Sequence, residues 1–202
     1  ITNLFSPVSP PSEARNMPQP DAAADRSGEF LEFVRDSARR ARAEDQPPSA
    51  LADWDTRRSE IADSLLESWG QFPEEKCALE PRLVGELQRD DYRVEKLLLQ
   101  TRPGIWMTAN AYVPAGEGRR PGVLCVHGHW RGAKQDPVVQ SRCIGLARLG
   151  FFVLVVDAFG AGERGIGRAL GEYHGEMTAC TLWPSGMALA GLQVYENIRA
   201  VD

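Results

Sequence analysis

The sequence predicts an α/β fold: a β-meander followed by parallel βαβ units, preceded by an N-terminal helical extension. Three observations predict it. Between Leu83 and Val113 apolar residues recur at a spacing of two, in three segments separated by turn residues, which is the pattern of antiparallel strands with one buried face. Beyond them, two short and continuous apolar runs, Gly122–His127 and Phe151–Asp157, flank a stretch of helical spacing, as buried parallel strands joined by a crossover helix do. Ahead of the strands, residues 27–70 carry apolar positions at intervals of three and four, the period of a helix.

Taken in order, residues 1–26 hold Pro7, Pro10, Pro11, Pro18 and Pro20 with little periodicity and read as an extended or disordered arm. A helix is expected from Ser27, its N-cap, with Phe30, Leu31, Val34, Ala38 and Ala41 on one face and Arg35, Arg39, Arg40 and Arg42 in solvent. Gln46-Pro47-Pro48 breaks it. A second helix starts at Leu51 or Asp53, sets Trp54, Ile61, Leu65 and Trp69 on a stripe expected to pack into the core, and ends at Gly70. Strands follow at Leu83–Leu87, Val94–Leu99 and Ile105–Val113, punctuated by Asp90-Asp91 and by Arg102-Pro103-Gly104. A helix over Asp136–Leu149 ends at Gly150, a glycine-rich loop runs from Ala158 to Gly175, and a last helix over Ser185–Val201 turns Leu189, Leu192, Tyr195, Ile198 and Val201 inward. The expected division is an arm at 1–26, a helical extension at 27–70 and an α/β portion at 71–202.

Composition narrows the function. The 202 residues carry 28 acidic and 23 basic side chains, a formal net charge of −5, with no basic run, which argues against a nucleic-acid partner. No apolar stretch approaches the ~18 residues of a membrane span, and the longest, Phe151–Val156, is strand-sized. No signal peptide is visible, and a periplasmic or secreted location stays open. Cys77, Cys125, Cys143 and Cys180 form no CxxC pair, which removes zinc ribbons and thioredoxin-type motifs. Cys125 falls in a strand pattern and is expected in the core, while a disulfide among the other three stays open.

The segment richest in chemistry is Val126-His127-Gly128-His129-Trp130-Arg131-Gly132, at the C-terminal end of the first parallel strand, where open parallel sheets bind ligands. A tight turn at His127-Gly128 can aim backbone N–H groups at a developing oxyanion, and the N–H so presented is that of His129. Asp157-Ala158-Phe159-Gly160-Ala161-Gly162 follows the next strand and lies beside it.

With these two loops in place the chain resembles the N-terminal half of an α/β-hydrolase of the acetyl xylan esterase-like branch. HGHW followed by DAFGAGER carries the resemblance, with LESWGQFPEE and YRVEKLLLQTRPGIWMTANAYVP upstream, over about residues 53–202. It implies an esterase with a serine nucleophile, an oxyanion hole that uses the His129 N–H, and a loop supported by His127, Gly128 and Asp157. Trp130 is expected either to wall the acyl or alcohol pocket of the substrate site or to serve in packing. The family's nucleophile stands in G-x-S-x-G on a strand-to-helix elbow. No such motif occurs: Ser185 lacks the preceding glycine and strand, and Ser141 lies inside a helix pattern. The resemblance therefore places the Ser, Asp and His of the triad beyond Asp202, implies that these residues alone are inactive, and leaves a strand edge unpaired where the sheet stops after Phe151–Asp157. The substrate implied is a small acyl ester, including acetylated carbohydrate. No cofactor, metal, nucleic acid or membrane is implied, and homo-oligomerisation stays open. Three other readings compete: a metal hydrolase using His127, His129 and His174; a dinucleotide site at Gly160-x-Gly162-x-x-Gly165; and a non-catalytic fragment or scaffold.

Overall fold

A computed structural model describes residues 28–43, 45–70, 72–165 and 179–202. The chain divides into two compact units, 1–49 and 50–202. In the first, α1 spans Glu29–Ala41 with Gly28 as its N-cap and no buried residue; Ser27 and the arm lie outside the described residues. Its arginines pair along the helix, Arg35 with Glu32 at 3.1 Å and Arg39 with Asp36 at 2.6 Å. Such exposed i,i+3 pairs contribute only a few tenths of a kcal/mol each, about 0.2–0.5.

In the second unit α2 spans Leu51–Trp69. Asp53 Oδ2 accepts from the Ala50 N–H at 3.0 Å, and Gly70, at φ 83°, ends the helix. The expected core stripe is corrected here: Trp54, Ile61 and Leu65 are exposed. The last turn docks on the helix over Leu189–Val201. The Trp69 backbone and Cβ press against Gly191, where a side chain would overlap them. Trp69 also stacks on Phe72, which in turn packs on Tyr195 with centroids 5.4 Å apart.

The sheet has five strands: β1 (Arg82–Gln88), β2 (Tyr92–Arg102), β3 (Ile105–Pro114), β4 (Gly122–Cys125) and β5 (Phe152–Val156). Their order is β1-β2-β3-β5-β4. The first three pair antiparallel as a meander, with Leu87 opposite Val94 and Leu97 opposite Ala109. The β2–β3 turn is closed by Gly104 at φ 75°, a backbone angle that glycine adopts without strain. Helix α3 (Pro137–Arg148) then carries the chain from β4 to its parallel neighbour β5, with Val123 opposite Val153 and Cys125 opposite Val155. Asp136 caps α3 through the Val138 N–H at 2.9 Å, and Pro137 occupies the first turn, where its missing N–H is harmless. Because β5 inserts between β3 and β4, antiparallel to β3, the outermost strand on that side is β4 and not the second apolar run.

Alternation along β5 sends its side chains to opposite faces. Val153 and Val155 join Tyr92, Val94, Tyr112, Cys125, Val139, Cys143 and Ala147 beneath α3. Val156 faces the other way, with Leu99, Met107 and Ala109, where Ala200 of α5 (Leu189–Val201), which follows the short helix α4 (Ala179–Leu182), packs. Helices on both faces of a mixed sheet make this an α/β fold. Helix α5 is rotated from its expected setting: Leu192 and Tyr195 are buried, but Ile198 and Val201 are exposed and Glu196 and Arg199 lie inside. The four cysteines are free thiols. Burial, reinforced by Cys125, pushes the Cys143 thiol up to about 12. Among the described residues no helix is long and apolar enough to cross a membrane.

Candidate functional site

The chain leaves β4 at Cys125 and folds at once into a tight turn. The Trp130 N–H donates to Gly128 O at 2.8 Å, and the Ala133 N–H donates to Trp130 O at 2.9 Å. The Trp130 indole lies directly over Gly128, so that a side chain at that position would overlap Trp130 Nε1. A side chain at position 128 would push the indole out of this position. Trp130 itself is 41% exposed at the mouth of the loop.

His127 ties this loop to the one after β5. Its Nε2 accepts from the Ala158 N–H at 3.1 Å, and its Nδ1 faces Gly128 O at 2.8 Å. A backbone N–H can only donate, so Nε2 must be the bare nitrogen and Nδ1 must carry the proton. Both ring nitrogens are therefore occupied, which is incompatible with a metal ligand at His127. Among the described residues no group of three or more His, Cys, Asp and Glu could hold a metal. His174 lies outside the described residues.

Asp157 stands at the end of β5, fully buried. Thr108 Oγ1 on β3 donates to its Oδ2 at 2.7 Å. The Glu163 N–H donates to Oδ2 at 3.2 Å and the Lys134 N–H to Oδ1 at 3.3 Å. Lys134 Nζ, equally buried, completes the set by donating to Asp157 Oδ2 and to Glu163 Oε2. The loop closes around this carboxylate at Gly162, whose φ is 56° and whose absent side chain would overlap the Asp157 carboxylate. The Gly160-x-Gly162-x-x-Gly165 match is therefore a turn wrapped on a buried anion. It forms a short 3-10 turn over Gly162–Arg164 rather than the opening of a helix that a pyrophosphate needs, which disfavours a dinucleotide.

A second buried pair adjoins the first. Arg164 binds Glu196 of α5 through two parallel contacts, Nη1 to Oε2 at 2.6 Å and Nη2 to Oε1 at 2.7 Å, while Thr101 Oγ1 donates to Glu196 Oε1 at 3.0 Å. Arg164 Nη1 also donates to Asp157 O at 3.1 Å. This network explains why α5 turns Glu196 inward: a satisfied bidentate pair is tolerated in the interior where an unpaired charge is not. The sequence pattern assigns no role to Lys134 or Glu196, and includes Glu163 and Arg164 only as the end of DAFGAGER. A lysine in a loop and a glutamate on a helix are ordinarily solvated, so the sequence carries no signal of their burial.

Between the ends of β4 and β5 and the flank of α5 lies a cleft of about 200 Å³, lined by Met107, His127, Asp157, Ala158, Gln193 and Asn197. His129 and Trp130 follow His127 in the chain and are exposed. Neither Ser141, on α3, nor Ser185, in a 3-10 turn over Trp183–Ser185, lies on a strand-to-helix elbow. Neither is placed as a nucleophile.

No family model and no curated sequence matches the chain. Solved structures do. One is a Bacteroides fragilis protein whose assignment as an acetyl xylan esterase is provisional: TM-score 0.60, 16% identity, covering 88% of this chain and 49% of that one. Another is a methylesterase: TM-score 0.51, 22% identity, covering 89% of this chain and 38% of that one. The likeness is one of fold, and this chain spans about half or less of each matched structure.

Proposed function

We propose that the chain is the N-terminal portion of an α/β-hydrolase, a serine ester hydrolase acting on small acyl esters such as acetyl groups on carbohydrate. The observation that carries this reading is the His127–Trp130 turn at the C-terminal end of a parallel strand, tied by His127 to the loop after the neighbouring strand. Two strand ends meeting at a cleft are where this architecture does chemistry. The fold shared with a methylesterase and with a protein provisionally assigned as an acetyl xylan esterase supports the same direction.

In this reading a serine on an elbow outside these residues attacks the ester carbonyl. The His129 N–H stabilises the negative oxygen that develops, the alcohol leaves, and water releases the acid and restores the serine. One such donor, preorganised in a site shielded from water, is worth about 3–4 kcal/mol of barrier. Trp130 walls the pocket, while His127, Gly128 and Asp157 hold the loop. The test is hydrolysis of p-nitrophenyl acetate by the full-length gene product, together with labelling by a serine-directed fluorophosphonate. Turnover and a single labelled serine on a strand-to-helix elbow are expected. Neither turnover nor labelling would end the reading.

A further inference from the structure

We propose that Lys134 is a positioning residue. It fixes the loop that presents the His129 N–H by gripping the Asp157 carboxylate with its backbone and its side chain together. The consequence for catalysis rests on the ester-hydrolase reading; the geometry does not.

The neighbouring Ala133 is fully buried and sits at φ 47°, a left-handed conformation that disfavours any residue with a Cβ. Such strain persists only where the surroundings over-determine it. Here the surroundings are Lys134. Its N–H donates to Asp157 Oδ1 at 3.3 Å, and its Nζ reaches Asp157 Oδ2 and Glu163 Oε2. One residue thus clamps the loop after β4 against the strand end and the loop after β5, five positions from His129. Thr108 holds the other side of the same carboxylate at 2.7 Å.

Stability alone does not account for a lysine there, because replacing a buried ion pair by apolar groups of similar volume is often neutral or favourable. What an apolar replacement does not reproduce is direction. A carboxylate that accepts from a backbone N–H and from the same residue's ammonium sets the loop's rotation as well as its distance.

The experiment uses the full-length gene product and two variants, Lys134→Met and the double variant Lys134→Met/Asp157→Asn. Two readouts are taken: amide hydrogen exchange, and kcat and KM on p-nitrophenyl acetate. In Lys134→Met, amides of residues 128–136 should exchange faster by about tenfold or more while those of β2 and β3 keep their protection. The kcat should fall about 100-fold, the usual consequence of a displaced catalytic group, with KM changed far less. The double variant should regain thermal stability, because no buried charge is stranded, and yet keep the fast exchange and the low kcat. Unchanged exchange over 128–136 in a folded Lys134→Met would overturn the proposal. So would a double variant that recovers kcat, or loss of fold in both variants, since the pair would then be a stability device. If the unsubstituted protein hydrolyses no ester, the esterase reading fails separately and the exchange measurement still decides the role of Lys134.

Discussion

Gly162→Ala is the most discriminating perturbation of the loop that wraps Asp157. Two penalties meet there. The first is conformational: at φ 56° an alanine pays about 1–2 kcal/mol. The second is steric, since the new methyl would lie within 2.5 Å of the Asp157 Cγ, in a carboxylate held by the Thr108 hydroxyl, the Lys134 and Glu163 N–H groups and the Lys134 ammonium. The carboxylate must move, which strands the buried Lys134 ammonium and weakens the bonds from Thr108 and the Glu163 N–H. Removing one partner of a buried ion pair costs about 3–5 kcal/mol. The sum, roughly 4–7 kcal/mol, is comparable to the whole stability of a domain, about 5–15 kcal/mol. Gly104→Ala is the control: its φ is 75° and nothing lies within 4 Å of the added methyl, so it should lose only the conformational part. Urea unfolding of the two variants beside the parent measures the difference, which should be at least about 3 kcal/mol. Equal losses in the two variants would refute the packing of Gly162 against Asp157.

Glu196→Gln should destabilise by about 3–5 kcal/mol, because the Arg164 guanidinium loses its bidentate carboxylate inside the protein. An Arg164→Met/Glu196→Met double variant should recover most of that loss in thermal melts. Gly191→Ala gains helix propensity but overlaps the Trp69 backbone. Overpacking of about 1–3 kcal/mol should win, with the exchange protection of α2 falling first in its last turn. Alkaline pH should destabilise the fold. Burial raises Tyr112 from 10.0 to about 12 and Cys143 from 9.0 to about 12, so the unfolded chain releases these protons before the folded one does. Their contribution is complete below about pH 9 and is lost as pH climbs toward 12, at up to about 1.4 kcal/mol per pH unit for each group; denaturant midpoints across that range read it. In the native protein an aromatic disulfide reagent should modify the exposed Cys180 quickly and the buried Cys125 and Cys143 only on unfolding.

The elements were legible because helix and strand periods are short-range properties of the chain. The helices α1, α2 and α3, the meander and both apolar parallel strands lie within a few residues of where the apolar spacing puts them. The bend after β4 is centred on His129, one residue beyond the expected His127-Gly128, and is closed by the Trp130 N–H on Gly128 O. By itself the sequence determined the α/β class and the placement of the two loops at the ends of parallel strands.

Only the tertiary structure decided what those loops are held by. That β5 inserts between β3 and β4, that Trp69 at the end of α2 packs on Gly191, and that Glu196 faces inward while Ile198 does not all depend on partners far away in the chain. Lys134 and Asp157 lie 23 residues apart, and Arg164 and Glu196 lie 32 apart. No local pattern marks a charge as buried, because a lysine in a loop and a glutamate in a helix are ordinarily solvated. They become interior groups only when folding brings an opposite charge and the right donors to the same point. The physical reason is that burial of a charge is a property of a pair, and the pair exists only in three dimensions.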